Sequence, residues 1–359
     1  MTDTQKKILD VADGTDIHSG QNIQDTKNTS NIKNTQNTKN TQITQNTQNA
    51  QDGKPTRNSS KSFWNPRTRG KLGDFLCIVP ALILLAIFVY YPIVKLFQIS
   101  LTDWNLLNDT WHFVGLKNWK WLFQGSGSKY LWNSLKVTFL YSIGELTVTI
   151  VGGMLFALLF NRMTKSFSAM RAIVFMPKYV AMSSAAVIFL WILNTESGVL
   201  NYFLGFLGIS PIDWLNQKST ALPSVLMLTG WRCIGYGMMI YLAAMAGISK
   251  DYYEASSLDG ANGRQQFFKI TLPLLGPTTL FLFVTTFLSS MKVFQSVDIL
   301  TSGGPDRATE VFVYLIYRYA MVDFRMDRAS TAAVMFFLIL LVITVVTMKV
   351  SKGHITYDS

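Results

Sequence analysis

The sequence predicts an all-α, polytopic membrane protein with six core transmembrane helices. The chain has 359 residues, of which 49% are hydrophobic, and its mean hydropathy of +0.24 is more typical of a membrane protein than of a soluble domain. Six apolar runs are long enough to cross the hydrocarbon core of a bilayer. The net charge of +11 is scattered along the chain, so basic membrane loops explain it and nucleic acid is not an expected partner.

The N-terminal segment differs sharply from the rest. Residues 1–61 contain the near-repeat NTSNIKNTQNTKNTQITQNTQNAQ, which has no apolar periodicity. Such a sequence cannot bury enough surface to offset the entropy of ordering, and it lacks the apolar core of a secretory signal. We therefore expect a disordered, Asn/Thr/Gln-rich cytoplasmic tail over 1–61, followed by a six-span domain over 62–359.

The predicted spans follow in order. Basic residues between Lys61 and Lys71 precede the first apolar run, which places the N-terminus in the cytoplasm, and an even number of spans places the C-terminus there as well. The cell membrane is therefore the expected location. The six runs are approximately Phe75–Phe97, Leu135–Phe160, Ala172–Leu193, Ala221–Ala246, Leu274–Ile299 and Thr331–Val350.

A polar stretch from Asp251 to Pro277 lies between the fourth and fifth apolar runs and must emerge from the membrane. Asp251 suits the positive N-terminus of a short helix, and Gly260 permits a sharp reversal that a β-carbon would oppose. Pro273 and Pro277 are expected to kink or restart the second helix as the chain returns to lipid. The stretch therefore predicts a protruding pair of short helices, which could also be an ordinary surface hairpin.

The spacing of Glu254-Ala255-Ser256, Gly260, Ile270 and Leu272-Pro273 resembles the cytoplasmic coupling loop of permease subunits in bacterial ABC importers. The resemblance covers roughly residues 70–350, favours the maltose/multiple-sugar branch and implies the type I ABC importer permease fold. One departure is Ser256, where the family usually has Ala. The resemblance implies that loop 249–273 couples transport to an ATPase through Glu254, Ala255, Ser256, Asp259, Gly260 and Ala261.

Two outer regions carry further features. Indole rings suit the membrane interface, and the first outer loop holds five of them: Trp104, Trp111, Trp119, Trp121 and Trp132. After the fifth apolar run comes a turn-forming sequence that resembles an outer-loop motif of the family. The resemblance implies contact with an extracytoplasmic binding protein at Gly303, Gly304 and Pro305.

Polar residues recur at helical spacings of three and four in the fourth and fifth apolar runs, so each set lies on one helical face. By position they resemble the residues that line the sugar site of maltose-type permeases. Two alternatives remain open: such residues may serve close helix packing, or the paired permease may hold the substrate. The candidates are Thr229, Arg232, Cys233 and Tyr236 on the fourth span and Thr286, Ser289, Ser290 and Val293 on the fifth.

Two cations, Arg232 and Lys292, fall within apolar runs. We expect both to extend toward the outer interface, although intramembrane charges also suggest attraction of an anionic substrate. Cys77 and Cys233 lie in apolar runs and are expected to be buried, reduced thiols.

The sequence lacks a phosphate-binding loop of the form Gly-x4-Gly-Lys-Ser/Thr, so the chain is not expected to hydrolyse ATP. Its three histidines are far apart, and neither a metal site nor catalytic residues are expected. The resemblance implies four protein partners: a second permease forming a heterodimer, two cytoplasmic ATPases that bind ATP and Mg, and a binding protein that delivers a saccharide. The alternatives are an importer for an anionic solute such as glycerol phosphate or a sugar phosphate, or a membrane receptor or passive channel.

Overall fold

The computed structural model describes residues 77–108, 110–161 and 164–352, and the predicted tail over 1–61 lies outside these residues. Within them the regular secondary structure is helical, apart from one isolated β-bridge between Thr102 and Phe113. The described residues from 80 onward form a compact unit. Residues 77–79 fall in a separate unit and form the first turn of a helix.

We number the helices in chain order. The first six are α1 (Cys77–Ile99), α2 (Lys117–Gln124), α3 (Gly127–Leu159), α4 (Lys165–Tyr179), α5 (Met182–Ile192) and α6 (Val199–Phe206). The other seven are α7 (Ala221–Ala246), α8 (Lys250–Leu258), α9 (Gly263–Leu274), α10 (Gly276–Ser290), α11 (Gln295–Thr301), α12 (Phe312–Val322) and α13 (Met326–Lys352).

Six spans can be assigned by length and apolar composition. The helices α1, α3, α7 and α13 are each long and apolar enough to cross a membrane alone. Two bent pairs supply the others: α4 with α5, which meet at 102°, and α9 with α10, which meet at 58°. The all-α prediction is therefore confirmed, and the described helices give the six predicted spans when each bent pair is counted as one span. The predicted bounds of the fourth span, Ala221–Ala246, agree with α7.

The third predicted span, Ala172–Leu193, is wrong as a continuous helix. Pro177 lacks a backbone N–H, and the chain is extended at Val180, where ψ is 131°. Pro177 is a sequence signal for an interruption, but the sharp bend also depends on partners elsewhere in the fold. At the break, the backbone carbonyls of Lys178 and Val180 accept hydrogen bonds from Arg232 of α7.

The fifth predicted span, Leu274–Ile299, is also wrong at its far end. α10 ends at Ser290, and residues 295–301 form the separate helix α11, which packs against α5. Val297 and Leu300 of α11 are buried with Ala185 and Phe189 of α5. The apolar residues that seemed to extend the span are therefore the buried face of another helix.

The helices α3 and α7 form the close-packed centre of the bundle. A Cβ added to Gly237 would lie 2.1 Å from the Thr149 carbonyl oxygen, and one added to Gly153 would lie 2.8 Å from the Gly237 backbone. Small residues at such contacts let membrane helices approach closely. This pairing sets the position of the polar face of α7.

The exposure of two tryptophans and of both cysteines differs from residue to residue. Trp121 is half-buried within the protein, where its ring lies 4.1 Å from the Arg328 guanidinium and 5.6 Å from the Tyr319 ring, whereas Trp132 is exposed. Cys77 is exposed rather than buried, because little of this chain covers α1, and Cys233 is partly exposed in a cavity.

Candidate substrate cavity and coupling loop

A polar cavity lies beside α7, between α3, the break of α4 and α5, and α10. It has two adjoining chambers of about 180 Å³ and 300 Å³. Both chambers are lined by Glu145, Lys178, Cys233 and Ser289. Polar residues converging inside otherwise apolar spans are typical of a solute pathway.

Seven of the eight predicted substrate residues line this cavity. The larger chamber holds Thr229, Arg232, Cys233, Ser289 and Val293, and the smaller holds Cys233, Tyr236, Thr286 and Ser289. Ser290 lines neither chamber: it is buried, and its hydroxyl donates to the Phe287 carbonyl 2.8 Å away. The two helical faces are thus brought together, except at Ser290.

Thr229 has little bonding capacity left for a solute. Its hydroxyl accepts from the Tyr141 hydroxyl at 2.8 Å and donates to the Val225 carbonyl at 3.1 Å, and the residue is buried. Tyr236 is better placed, because its ring is half-buried and lines the smaller chamber. The Lys178 ammonium lies 4.9 Å from the centre of that ring.

Sequence reasoning missed Glu145, Lys178 and Tyr141. Glu145 is 7% exposed, and its Oε1 lies 3.7 Å from the Cys233 thiol. A signal existed, because Glu145 and Lys178 also fall within predicted apolar runs, as Arg232 and Lys292 do. Charge well inside an apolar run, away from its ends, is rare in membrane proteins, and this criterion selects all four residues.

Arg232 is bonded within the protein rather than extended to the interface. Its guanidinium donates to the carbonyls of Val180 at 2.9 Å and Lys178 at 3.3 Å, and it lies 3.2 Å from the Met182 sulfur. These are the residues at the break between α4 and α5. Arg232 therefore supplies donors for backbone groups that the break leaves without helical partners.

Loop 249–273 has the two-helix form that its sequence predicts. The Ser249 hydroxyl accepts from the Asp251 amide at the start of α8, and Asn262 and Gln265 form a capping box at the start of α9. Gly260, between the helices, has φ of +79°, which disfavours any residue with a β-carbon. Beyond loop 249–273, the bend at Leu275 precedes Pro277, as expected for a proline kink.

The coupling candidates of loop 249–273 differ in exposure. Glu254, Ala255, Asp259 and Gly260 are exposed, and Ser256 and Ala261 are half-buried. The neighbouring Leu258 is 90% exposed. A cavity of about 360 Å³ between the two helices is lined in part by Ser256, Asp259, Gly260 and Ala261.

A side-chain amide holds the two helices of loop 249–273 together. Gln266 of α9 lies within hydrogen-bonding distance of three acceptors on α8: the Ser257 hydroxyl at 2.9 Å, the Ser256 hydroxyl at 3.1 Å and the Tyr253 carbonyl at 3.2 Å. The Tyr253 hydroxyl lies 2.9 Å from the Thr271 hydroxyl. Ser256, where the family usually has Ala, therefore helps to join the two helices, because an alanine would offer no acceptor to Gln266.

The predicted binding-protein contact lies in loop 301–310. Gly303 is buried against Tyr314, and a Cβ at this position would lie 2.7 Å from the Tyr314 ring. Gly304 and Pro305 are half-exposed. Asp306 forms an ion pair with Lys218, which lowers the pKa of the Asp306 carboxyl. This ion pair ties the loop to the segment before α7.

At the end of that loop, Glu310 is fully buried between Arg307 and Arg318, and its carboxylate lies 3.4 Å and 3.6 Å from the two guanidinium groups. Burial raises the pKa of Glu310, and the two arginines act in the opposite direction. Among the described residues, no three His, Cys, Asp or Glu side chains are placed to hold a metal ion.

Comparison with known proteins decides the family. A model of the family described as binding-protein-dependent transport system inner membrane component matches residues 149–351. The chain belongs to this family. As a permease subunit of an ABC importer it is a multi-pass membrane protein, and the receptor and passive-channel alternatives are excluded.

Named relatives match this permease over most of their length. It is 30% identical to the sn-glycerol-3-phosphate transport system permease UgpA of Agrobacterium fabrum over 80% of this chain and 97% of the relative. It is 30% identical to the trehalose/maltose transport system permease MalF of Thermococcus litoralis over 79% of this chain and 94% of the relative.

A solved structure shares the fold. A chain of a bacterial alginate ABC transporter, crystallised in complex with an alginate pentasaccharide-bound periplasmic protein, matches this permease with a TM-score of 0.67 and 25% identity. The match covers 78% of this chain and 93% of that one. The fold predicted from the resemblance is therefore confirmed.

Proposed function

We propose that this permease carries a saccharide through the cavity beside α7, as one of two different membrane subunits of an ATP-driven importer. The observation that supports this most strongly is the convergence of Tyr236, Thr286 and Ser289 on one chamber inside apolar spans. A tyrosine ring can stack on a sugar, and hydroxyls can exchange hydrogen bonds with it without holding it tightly. Two of the similar proteins are named for saccharides, trehalose/maltose and alginate.

Transport is driven through loop 249–273. The exposed residues of α8, including Glu254 and Leu258, form the surface that a cytoplasmic ATPase binds. The Gln266 contacts keep the two helices as a rigid unit, so movement of the ATPases is passed to the spans. ATP and Mg reside on the two ATPases, whose closure shifts the equilibrium between inward-open and outward-open arrangements.

This role fixes the orientation of the permease. Loop 249–273 and both termini face the cytoplasm, and loop 301–310 faces the opposite side of the membrane. There the half-exposed Gly304 and Pro305 can contact the binding protein that delivers the saccharide, whereas Gly303 is buried beneath the surface of the loop. The second permease closes the open side of the cavity, where Lys178 and Lys292 are exposed.

The test compares Tyr236→Ala with Ser290→Ala in the complete importer. Tyr236 lines the cavity and Ser290 does not, so only Tyr236→Ala should lower saccharide uptake, by about tenfold if one stacking and bonding partner is lost. ATPase activity stimulated by the loaded binding protein should be retained in both variants. Unchanged uptake in both variants would place the saccharide site in the partner permease.

A further inference from the structure

The cavity carries an excess of positive charge. Its charged lining residues, among those described, are the cations Lys178, Arg232 and Lys292 and the single acid Glu145. Even with Glu145 ionised, the cations exceed the acid by two. Charge that faces a cavity inside a membrane is costly unless a partner compensates it.

Neither cavity lysine has a carboxylate partner within ion-pair distance among the described residues. Arg232 already donates to two backbone carbonyls, and Glu145 is almost fully buried beside Cys233. Lys178 and Lys292 are exposed to the cavity, and neither forms an ion pair with any described carboxylate. The Lys178 ammonium instead lies over the face of the Tyr236 ring.

The arrangement combines two recognition elements at one place. Tyr236 and Lys178 both line the smaller chamber, and the Lys178 ammonium lies 4.9 Å from the centre of the Tyr236 ring, so a ligand in this chamber meets both side chains. Lys292 lines the adjoining chamber, which shares Lys178 with the first. An ammonium binds a carboxylate or a phosphate as a point charge without requiring one fixed geometry, which suits a solute that must be released.

We propose that the translocated saccharide is anionic, bearing a carboxylate or phosphate group that Lys178 and Lys292 bind during passage. This inference rests on the proposed function, because it assigns a substrate class to the same cavity. It separates this permease from one whose substrate is a neutral sugar.

Cys233 provides a direct probe of the charge, because it lines both chambers and the sequence contains one other cysteine, Cys77. In the complete importer carrying Cys77→Ser, embedded in nanodiscs, the Cys233 thiol is modified with anionic sulfonatoethyl and cationic trimethylammonioethyl methanethiosulfonate. Each rate is divided by the rate of the same reagent with a free thiol in solution. The anionic reagent should react about tenfold faster than the cationic one, since two unit charges act with opposite sign on the two reagents.

Matched variants assign the effect to the lysines. Lys178→Gln and Lys292→Gln should each lower the rate ratio severalfold, whereas Lys165→Gln, which removes an exposed lysine outside the cavity, should leave it unchanged. A ratio near one, or a ratio that neither cavity variant changes, would mean that the partner permease neutralises the cavity and would overturn the proposal.

Matched ligands test the substrate class and cover the case in which Cys233 is unreactive. Uptake is measured with digalacturonate against its dimethyl ester and with trehalose 6-phosphate against trehalose, and the two pairs separate carboxylate from phosphate. The anionic member of a pair should be imported at least tenfold faster, and Lys292→Gln should remove that preference. Import of the neutral members alone would overturn this inference and leave the proposed function standing, whereas import of no saccharide would reject the proposed function itself.

Discussion

At the scale of single residues, Gly260 shows that a position can require glycine for its backbone conformation without requiring it for close packing. Its φ of +79° lies in the left-handed region, yet a Cβ at this position would meet no atom within 4 Å. The position therefore needs glycine for its backbone conformation and not for space. Gly263, three residues later, also has open space around it but no positive φ, so it offers a matched control.

We expect Gly260→Val to lower transport while membrane insertion persists. A β-branched residue in this conformation costs about 1–2 kcal/mol or more, which would displace α8 from the position it needs to bind the ATPase. Gly263→Val should transport normally. The measurements are the amount of assembled importer in membranes and the initial rate of uptake; normal uptake by Gly260→Val would remove Gly260 from the coupling assignment.

Individual residues also mark the limit of sequence reasoning at the cavity. Helical spacing was enough to bring Thr229, Tyr236, Thr286 and Ser289 together, because both faces follow the 3.6-residue period. Spacing could not identify Ser290 as a buried packing residue, since adjacent positions differ in direction by about 100° and the rotation of α10 depends on its neighbours. Glu145 can be identified from the sequence alone, because it is a charged residue well inside an apolar run.

At the scale of the helical elements, loop 249–273 acts as a unit because Gln266 joins its two helices. We expect Gln266→Leu, which keeps the volume but removes the donors, to weaken this connection by about 1–3 kcal/mol, because acceptors on α8 lose a partner. Ser257→Ala, which removes one acceptor, should have a smaller effect.

The measurement for Gln266→Leu is the number of ATP molecules hydrolysed per solute imported. A less rigid loop should transmit less of each ATPase movement, so this number should rise severalfold in Gln266→Leu and less in Ser257→Ala. The rigid-unit account is contradicted if the ratio stays at the wild-type value in correctly assembled Gln266→Leu importer.

The break between α4 and α5 gives a second prediction at this scale. Arg232→Met should destabilise the permease, because the part-buried Val180 carbonyl loses its donor, which costs about 1–3 kcal/mol, whereas water can replace the donor at the exposed Lys178 carbonyl. Arg232→Lys should recover part of the loss, since an ammonium can reach one carbonyl but lacks the fork of the guanidinium.

The readout for Arg232 is the thermal unfolding midpoint of the assembled importer, measured beside uptake. Lower stability in Arg232→Met, partly restored in Arg232→Lys, supports the role at the break. Unchanged stability of Arg232→Met with reduced uptake would instead indicate that Arg232 binds the substrate.

At the scale of the whole molecule, composition and apolar runs were sufficient to predict the fold class and the number of spans. They were insufficient for the 102° break after Tyr179 and for the end of α10 at Ser290, because both depend on contacts between distant segments. Long-range packing also accounts for Trp121, whose partners Tyr319 and Arg328 lie about 200 residues away in sequence. The apolar runs in the sequence therefore predict the helices, and tertiary contacts determine where the helices bend and end.

We propose that this permease transports solute only when its partner subunits hydrolyse ATP. The most direct measurement is saccharide accumulation in proteoliposomes that contain the complete importer, with the binding protein outside and ATP or a non-hydrolysable analogue inside. We predict accumulation above the external concentration with ATP and none with the analogue. Equal uptake in both cases, stopping at the external concentration, would contradict the account.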